Sequence, residues 1–195
     1  MQYEDEKIAA LRIKEKKKHY NNTEKGIYIG EQLYKFSESL LLGETIRILL
    51  PDGFLQMPVE KIRGKYPSEF RPQVIISNES GMVNFTFSRF EQPASWEQLP
   101  DLLVNLQTAI LNMNPSVLVF HRTQIEVKDK SVPWMDFKSY AMDGALYNYL
   151  FLYLSDKKPV LGMFNCPFSE REGWQYLFTK CLETIDEVMD HNERG

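Results

Sequence analysis

The chain is poor in the residues that usually carry chemistry. Its 195 residues include two cysteines, Cys166 and Cys181, and three histidines, His19, His121 and His191. The cysteines form no CxxC pair, so neither a redox dithiol nor a disulfide framework is expected, and both read as buried free thiols. The scattered histidines give no metal-ligand spacing, and no metal site is assigned. There is no GxxxxGK[ST], no GxGxxG and no G-x-S-x-G, so no catalytic residue and no cofactor is assigned either. Long apolar runs are also missing. The longest, Ala145 to Leu154, contains Asn148 and stops at Ser155-Asp156-Lys157-Lys158. It is roughly half of the ~20 residues that a membrane-crossing helix needs, and no membrane insertion is expected. The start, "MQYEDEKIAALRIKEKKK", has no apolar core of a signal peptide, which with the cysteine usage points to a cytoplasmic protein. On that reading the N-x-S/T sequons at Asn21, Asn78 and Asn84 are chance matches. A net charge of −4 disfavours nonspecific nucleic-acid binding, which needs an excess of lysine and arginine.

What is present is an ordinary globular mixture, 43% hydrophobic and 26% charged, enough for one core. Six lysines and arginines fall within residues 1–20, so residues 1–26 read as a basic N-terminal arm or helix on an acidic body. Residues 27–195 read as a single α+β domain. "QLYKF" and "ETIRILLP" read as strands joined near Leu42-Gly43, and "PVEKIRGKYP" as a short helix closed by Pro67. "RPQVIIS" and "MVNFTFSRF" are strands around the turn "NESG". Leu99, Leu102, Leu103, Leu106 and Ile110 lie on one helical face, with Pro100 in the first turn and Asn114-Pro115 at the end. Four strand-like segments follow: "SVLVFHRTQIEVK", "WMDFKSYAM", "ALYNYLFLYL" and "PVLGMFNC". Ser169 and Glu172 suggest a capping box for a last helix. Its apolar face is Trp174, Leu177, Phe178, Cys181, Leu182, Ile185 and Met189.

Asp143-Gly144 is a hairpin dipeptide. It predicts Tyr140 opposite Tyr147, Lys138 opposite Tyr149, Asp136 opposite Phe151 and Trp134 opposite Tyr153. A turn at Asp156-Lys157 puts Val160 opposite Tyr153, Gly162 opposite Phe151 and Phe164 opposite Tyr149. Alternation then sorts the side chains onto two faces. Met135, Phe137, Leu146, Leu150, Leu152, Leu154, Leu161 and Met163 form an apolar core face, crossed by a polar row of Ser139, Asn148 and Asn165. The other face carries Trp134, Asp136, Lys138, Tyr140, Tyr147, Tyr149, Phe151, Tyr153 and Phe164, with Gly162 beneath a cross-strand ring. Tyrosine hydroxyls want water or a partner. This face reads either as a second packed face or as a half-wet groove for a peptide or protein. The groove is the expectation carried forward, with Trp134, Tyr140, Tyr147, Tyr149 and Tyr153 as partner-binding residues. A homodimer through the same face is a further possibility.

One polar constellation stands beside it. A turn at Asp129-Lys130 would place His121 opposite Lys138 and Thr123 opposite Asp136. His121, Asp136, Lys138 and Tyr149 would then be neighbours, able to do acid–base work or to bind a small ligand.

The segment "RILLPDGFLQM", Arg47 to Met57, resembles the strand ending in Leu-Pro-x-x-Phe near the start of PsbP-like domains, with Leu50, Pro51 and Phe54 matching. The order of elements over residues 30–190 is similar to that superfamily. It includes the photosystem II protein PsbP, a Ran-binding import factor, and bacterial DcrB-like and Eag-type effector chaperones. The resemblance implies an α-β-α sandwich around a mostly antiparallel sheet. It also implies a non-enzymatic binding protein, working as an adaptor, assembly factor or chaperone. The alternative is an enzyme or small-ligand protein centred on His121, Asp136 and Lys138.

Overall fold

The computed structural model describes residues 20–66, 71–141 and 144–188. Most of the basic arm, Pro67, the Asp143 half of the expected turn and Met189 lie outside the described residues.

Alternating apolar residues and tight turns produce the dominant element, a seven-stranded sheet. Its strands are β6 (Leu55–Gln56), β7 (Val74–Ser77), β8 (Asn84–Arg89), β9 (Leu118–Val127), β10 (Lys130–Ala141), β11 (Gly144–Ser155) and β12 (Lys158–Pro167). Their spatial order is β6-β7-β8-β12-β11-β10-β9, every neighbouring pair antiparallel. Two small sheets come from the first third of the chain. One holds β1 (Asn21–Asn22), β2 (Gly26–Ile29) and β3 (Gln32–Tyr34). The other holds β4 (Phe36–Leu41), β5 (Ile46–Pro51) and the late β13 (Asp186–Glu187). The segment "NNTEKG" contributes β1 and opens β2. Three helices are described: α1 (Val59–Lys65), α2 (Leu99–Met113) and α3 (Arg171–Leu182).

Both faces of the large sheet are covered. On one, α2 sets Leu99 and Leu103 against Met135, Phe137, Leu150, Leu152 and Leu154. On the other, α3 and the β4-β5 hairpin close over the aromatic row. The fold is α+β, a mostly antiparallel sheet between helical layers.

The β11-β12 register is the expected one: Tyr153 faces Val160, Phe151 faces Gly162 and Tyr149 faces Phe164. Asp156 and Lys157 take the positive φ, 49° and 56°, that a tight hairpin asks for. The other two hairpins differ from expectation. The β10-β11 turn closes at Ala141↔Gly144, one residue earlier than an Asp143-Gly144 turn would. Tyr140 therefore faces Ala145, Lys138 faces Tyr147, Asp136 faces Tyr149 and Trp134 faces Phe151. The β9-β10 turn closes at Val127↔Lys130, with Lys128 at φ 56°. His121 thus meets Asp136 rather than Lys138, and Thr123 meets Trp134. Each change moves a partner by two positions. A two-residue slip preserves the face of every side chain, so the sidedness holds.

What changes is the burial of the aromatic side. The aromatic face belongs to the larger core: Tyr147, Tyr149, Phe151, Tyr153 and Phe164 are all buried. Rings interlock there, Phe164 lying 5.2 Å from Phe151 and 5.3 Å from Phe178 of α3. The open groove expected on this face is therefore corrected to a packed interior.

The polar row splits into two pairs. Asn148 Nδ2 donates to Ser139 Oγ at 2.9 Å, and Asn84 Nδ2 donates to Asn165 Oδ1 at 2.8 Å. The last helix also differs at both ends. Ser169 lies in a 3₁₀ turn and Glu170 occupies the N-cap without a side-chain cap. The Glu170 carboxylate instead accepts from Trp174 Nε1 at 3.0 Å. At the far end the Thr184 hydroxyl donates to the Cys181 carbonyl at 2.7 Å and accepts the Leu49 N–H at 2.9 Å. This ties the chain to β5 and ends the helix, so Ile185 is buried beyond it. A different box is used: the Ser95 N–H donates to Gln98 Oε1 at 2.8 Å, ahead of α2.

Candidate functional site

Asp136 is a carboxylate in the interior, 1% exposed. A buried carboxylate is costly unless hydrogen bonds replace its water. The replacement begins with a β-bulge. Asp136 pairs with His121 but the next residue, Phe137, pairs with Val119, leaving Phe120 as the extra residue. The bulge re-aims its neighbour. His121 presents both its backbone N–H (2.8 Å) and its ring Nδ1 (3.0 Å) to Asp136 Oδ1. The second oxygen accepts from the Tyr147 hydroxyl at 2.8 Å and from Gln175 Nε2 of α3 at 3.4 Å. Burial, and then the Asp136 charge, push the Tyr147 phenol well above its ordinary value, so it stays a donor. This is how a tyrosine face becomes a core.

Of the expected acid–base cluster, His121 and Asp136 come together. The His121 side chain is 62% exposed, held from behind by the buried carboxylate. Lys138 is turned elsewhere: its Nζ sits 4.9 Å from the Tyr140 ring and 4.4 Å from the Phe168 ring. Tyr149 stacks on Trp134, centroids 4.7 Å apart. Its hydroxyl is buried beside the Thr179 side chain of α3; burial raises its pKa, and the hydrogen bond from Thr179 offsets only part of that. Of the other two groups on Asp136, Tyr147 was expected as a partner-binding residue rather than a member of this cluster, and Gln175 was not anticipated. Among the described residues no three potential metal ligands cluster. A cleft of about 320 Å³ lies elsewhere, between α2 and the β12 start, lined by Phe90, Gln98, Asp101, Leu102, Asn105 and Pro159 among others.

The five expected partner-binding residues divide. Tyr147, Tyr149 and Tyr153 are core, Trp134 is half-buried, and Tyr140 is exposed. Tyr140 belongs to a surface rim at the edge of the same face. Leu118 is 52% exposed, Phe120 42% and Tyr140 51%. They are joined through Phe168 and Lys138. The Phe120 and Phe168 rings lie 6.0 Å apart, Arg171 stands 4.6 Å from the Phe168 ring, and Lys138 pairs with Leu118 across the strands. Leu118, Phe120, Phe168 and Arg171 were not anticipated. A signal existed: in "LVFHR" the strict alternation breaks, which is how a bulge appears in sequence.

No known protein-family profile matches the chain, and no curated protein matches it. Solved structures do. The cyanobacterial PsbP of Synechocystis sp. PCC 6803 superposes with a TM-score of 0.60 at 9% identity, over 84% of this chain and 98% of that one. LpqN of Mycobacterium tuberculosis, involved in cell envelope biogenesis, gives 0.50 at 9% identity, over 87% and 99%. A Bacteroides thetaiotaomicron protein gives 0.50 at 10% identity, over 78% of this chain and 48% of its own. Identities this low speak to architecture. A seven-stranded antiparallel sheet between helical layers, superposable over almost the whole length of a cyanobacterial PsbP, makes this chain PsbP-like in fold.

Proposed function

We propose that the chain is a non-enzymatic protein-binding module, an adaptor, assembly factor or chaperone by role, and that its working surface is the rim around Phe168. The observation that carries this reading is the joint exposure of Leu118, Phe120 and Tyr140 beside two cations, Lys138 and Arg171, held over one ring. Contiguous exposed apolar groups bounded by charge are typical of interaction sites. Trp134 flanks the rim through its 6.3 Å contact with His121. The chemistry fits a partner segment that brings apolar side chains to Leu118 and Phe120 and a carboxylate to Lys138. The PsbP-like fold supports the reading by analogy.

Photo-crosslinking tests it. A benzophenone side chain at position 120 is compared with one at Val59, which is 56% exposed on α1. Position 120 is expected to capture a stoichiometric protein that position 59 does not. That product should fall at least tenfold when Lys138 and Tyr140 are both changed to glutamate while the circular dichroism is kept. Equal capture at both positions, or capture indifferent to the double change, overturns the proposal.

A further inference from the structure

The two ends of the large sheet are unlike. One ends on β6, two residues long, whereas the other ends on β9, ten residues long and exposed along most of its length. Among the described residues no strand pairs with the outer side of β9. Long open edges invite pairing, and proteins usually blunt them with charge. β9 does carry charge, and its arrangement is self-complementary.

The backbone direction of each β9 residue follows from its turn. Val127↔Lys130 closes a two-residue hairpin, a position where both residues exchange backbone hydrogen bonds. Val127 therefore points its N–H and C=O at β10. Alternation gives Ile125, Thr123 and His121 the same direction, and the His121 N–H is indeed spent on Asp136. The backbone groups of Arg122, Gln124 and Glu126 face outward, toward whatever binds. Their side chains share the α2 face, where Arg122 Nη1 donates to Gln107 Oε1 at 2.8 Å. All three are exposed.

An antiparallel second copy can match outward groups only to outward groups. With the two-fold axis at Arg122 or Glu126, like charges meet. With the axis at Thr123, neither charge finds a mate. With the axis at Gln124, Arg122 of each copy faces Glu126 of the other, and Thr123 faces Ile125 on the opposite face. Opposite charges and β-branched pairs are favourable cross-strand neighbours. We propose that two copies of this chain associate through their β9 edges, antiparallel, with Gln124 on the two-fold axis, joining two seven-stranded sheets into one. The axis is perpendicular to the sheet, so both Phe168 rims would lie on the same side, roughly 30–40 Å apart at about 3.4 Å per strand residue. The association stands whether or not the rim binds a partner.

The test is the oligomeric state of the full chain by sedimentation equilibrium across low-micromolar to near-millimolar concentrations. The wild type is expected to reach twice the 22.9 kDa chain mass. Arg122→Glu and Glu126→Arg, each alone, set like charges face to face twice and should weaken association by about tenfold or more. The double variant carrying both changes restores the pairs and should recover the wild-type mass profile. A wild type that stays monomeric throughout overturns the proposal. So does a dimer that ignores the single reversals, or single reversals that the double variant fails to rescue although all three variants keep the wild-type circular dichroism.

Discussion

Gly162 and Phe151 face each other across β11 and β12, and the glycine has no room for more. A Cβ placed on Gly162 would overlap the Phe151 ring. That ring is fixed by Phe164 at 5.2 Å and Phe87 at 6.4 Å, so it has nowhere to retreat. Gly162→Ala is expected to destabilise by about 1–3 kcal/mol, the usual cost of overpacking a closed core. Urea unfolding should show a lower midpoint with an unchanged slope, and a midpoint within error of wild type would contradict the packing. This contact was legible in the sequence, because a glycine in strand alternation opposite an aromatic has few other meanings. The fate of the tyrosines was not. Whether Tyr147 is wet depends on finding an acceptor, and Asp136 becomes one only when the bulge at Phe120 brings His121 over it and Gln175 arrives from α3. Those partners are distant in sequence, and alternation carries no information about them.

At the scale of elements, periodicity was a good guide and terminal chemistry a poor one. α2 begins with Pro100 in its first turn and ends at Asn114, as its sequence indicates. The faces of β10, β11 and β12 also follow from alternation. Turn position did not, because Asp143-Gly144 and Asp129-Lys130 each compete with a dipeptide one residue earlier that closes an equally tight loop. Capping chemistry shows the same weakness. Ser169-x-x-Glu172 fits the pattern, but Glu170 is drawn to Trp174 and a 3₁₀ turn takes the start of the helix. Ser95-x-x-Gln98 fits equally well and is the one that forms. Gln98→Ala is therefore expected to cost about 0.5–1 kcal/mol, the worth of one such hydrogen bond. Ser169→Ala should stay within about 0.5 kcal/mol of wild type. Chemical denaturation of the two variants side by side decides it, and the reverse order would reassign the cap.

At the scale of the molecule, a carboxylate is one of the polar ties between the β4-β5-β13 sheet and the large one. Asp186 lies on β13. Its carboxylate takes a hydrogen bond from Arg47 Nη2 of β5 at 2.9 Å, and Lys128 from the β9-β10 turn pairs with it as well. Burial, the strongest single influence, pushes the Asp186 carboxyl up, but the hydrogen bonds and charges of Lys128 and Arg47 together outweigh it and hold the group below its ordinary value. A folded-state pKa below the unfolded one means that folding favours the ionised form. The stabilisation is complete above the unfolded carboxylate value of about 3.9 and is lost as pH falls through the lower folded value. The side chain is 24% exposed, so solvent screening keeps the contribution to less than about 1 kcal/mol. Asp186→Asn should accordingly lower the urea midpoint at pH 6, and the gap from wild type should hold down to about pH 4 and narrow below it. The size of the gap should also shrink with added salt, because two of the three charges are surface groups. A gap that is constant from pH 6 to pH 3 would mean that the amide loses shape rather than charge, and that the sheets are held together by their other contacts, the apolar packing of β5 and the Ser155 hydroxyl on the Thr45 carbonyl among them.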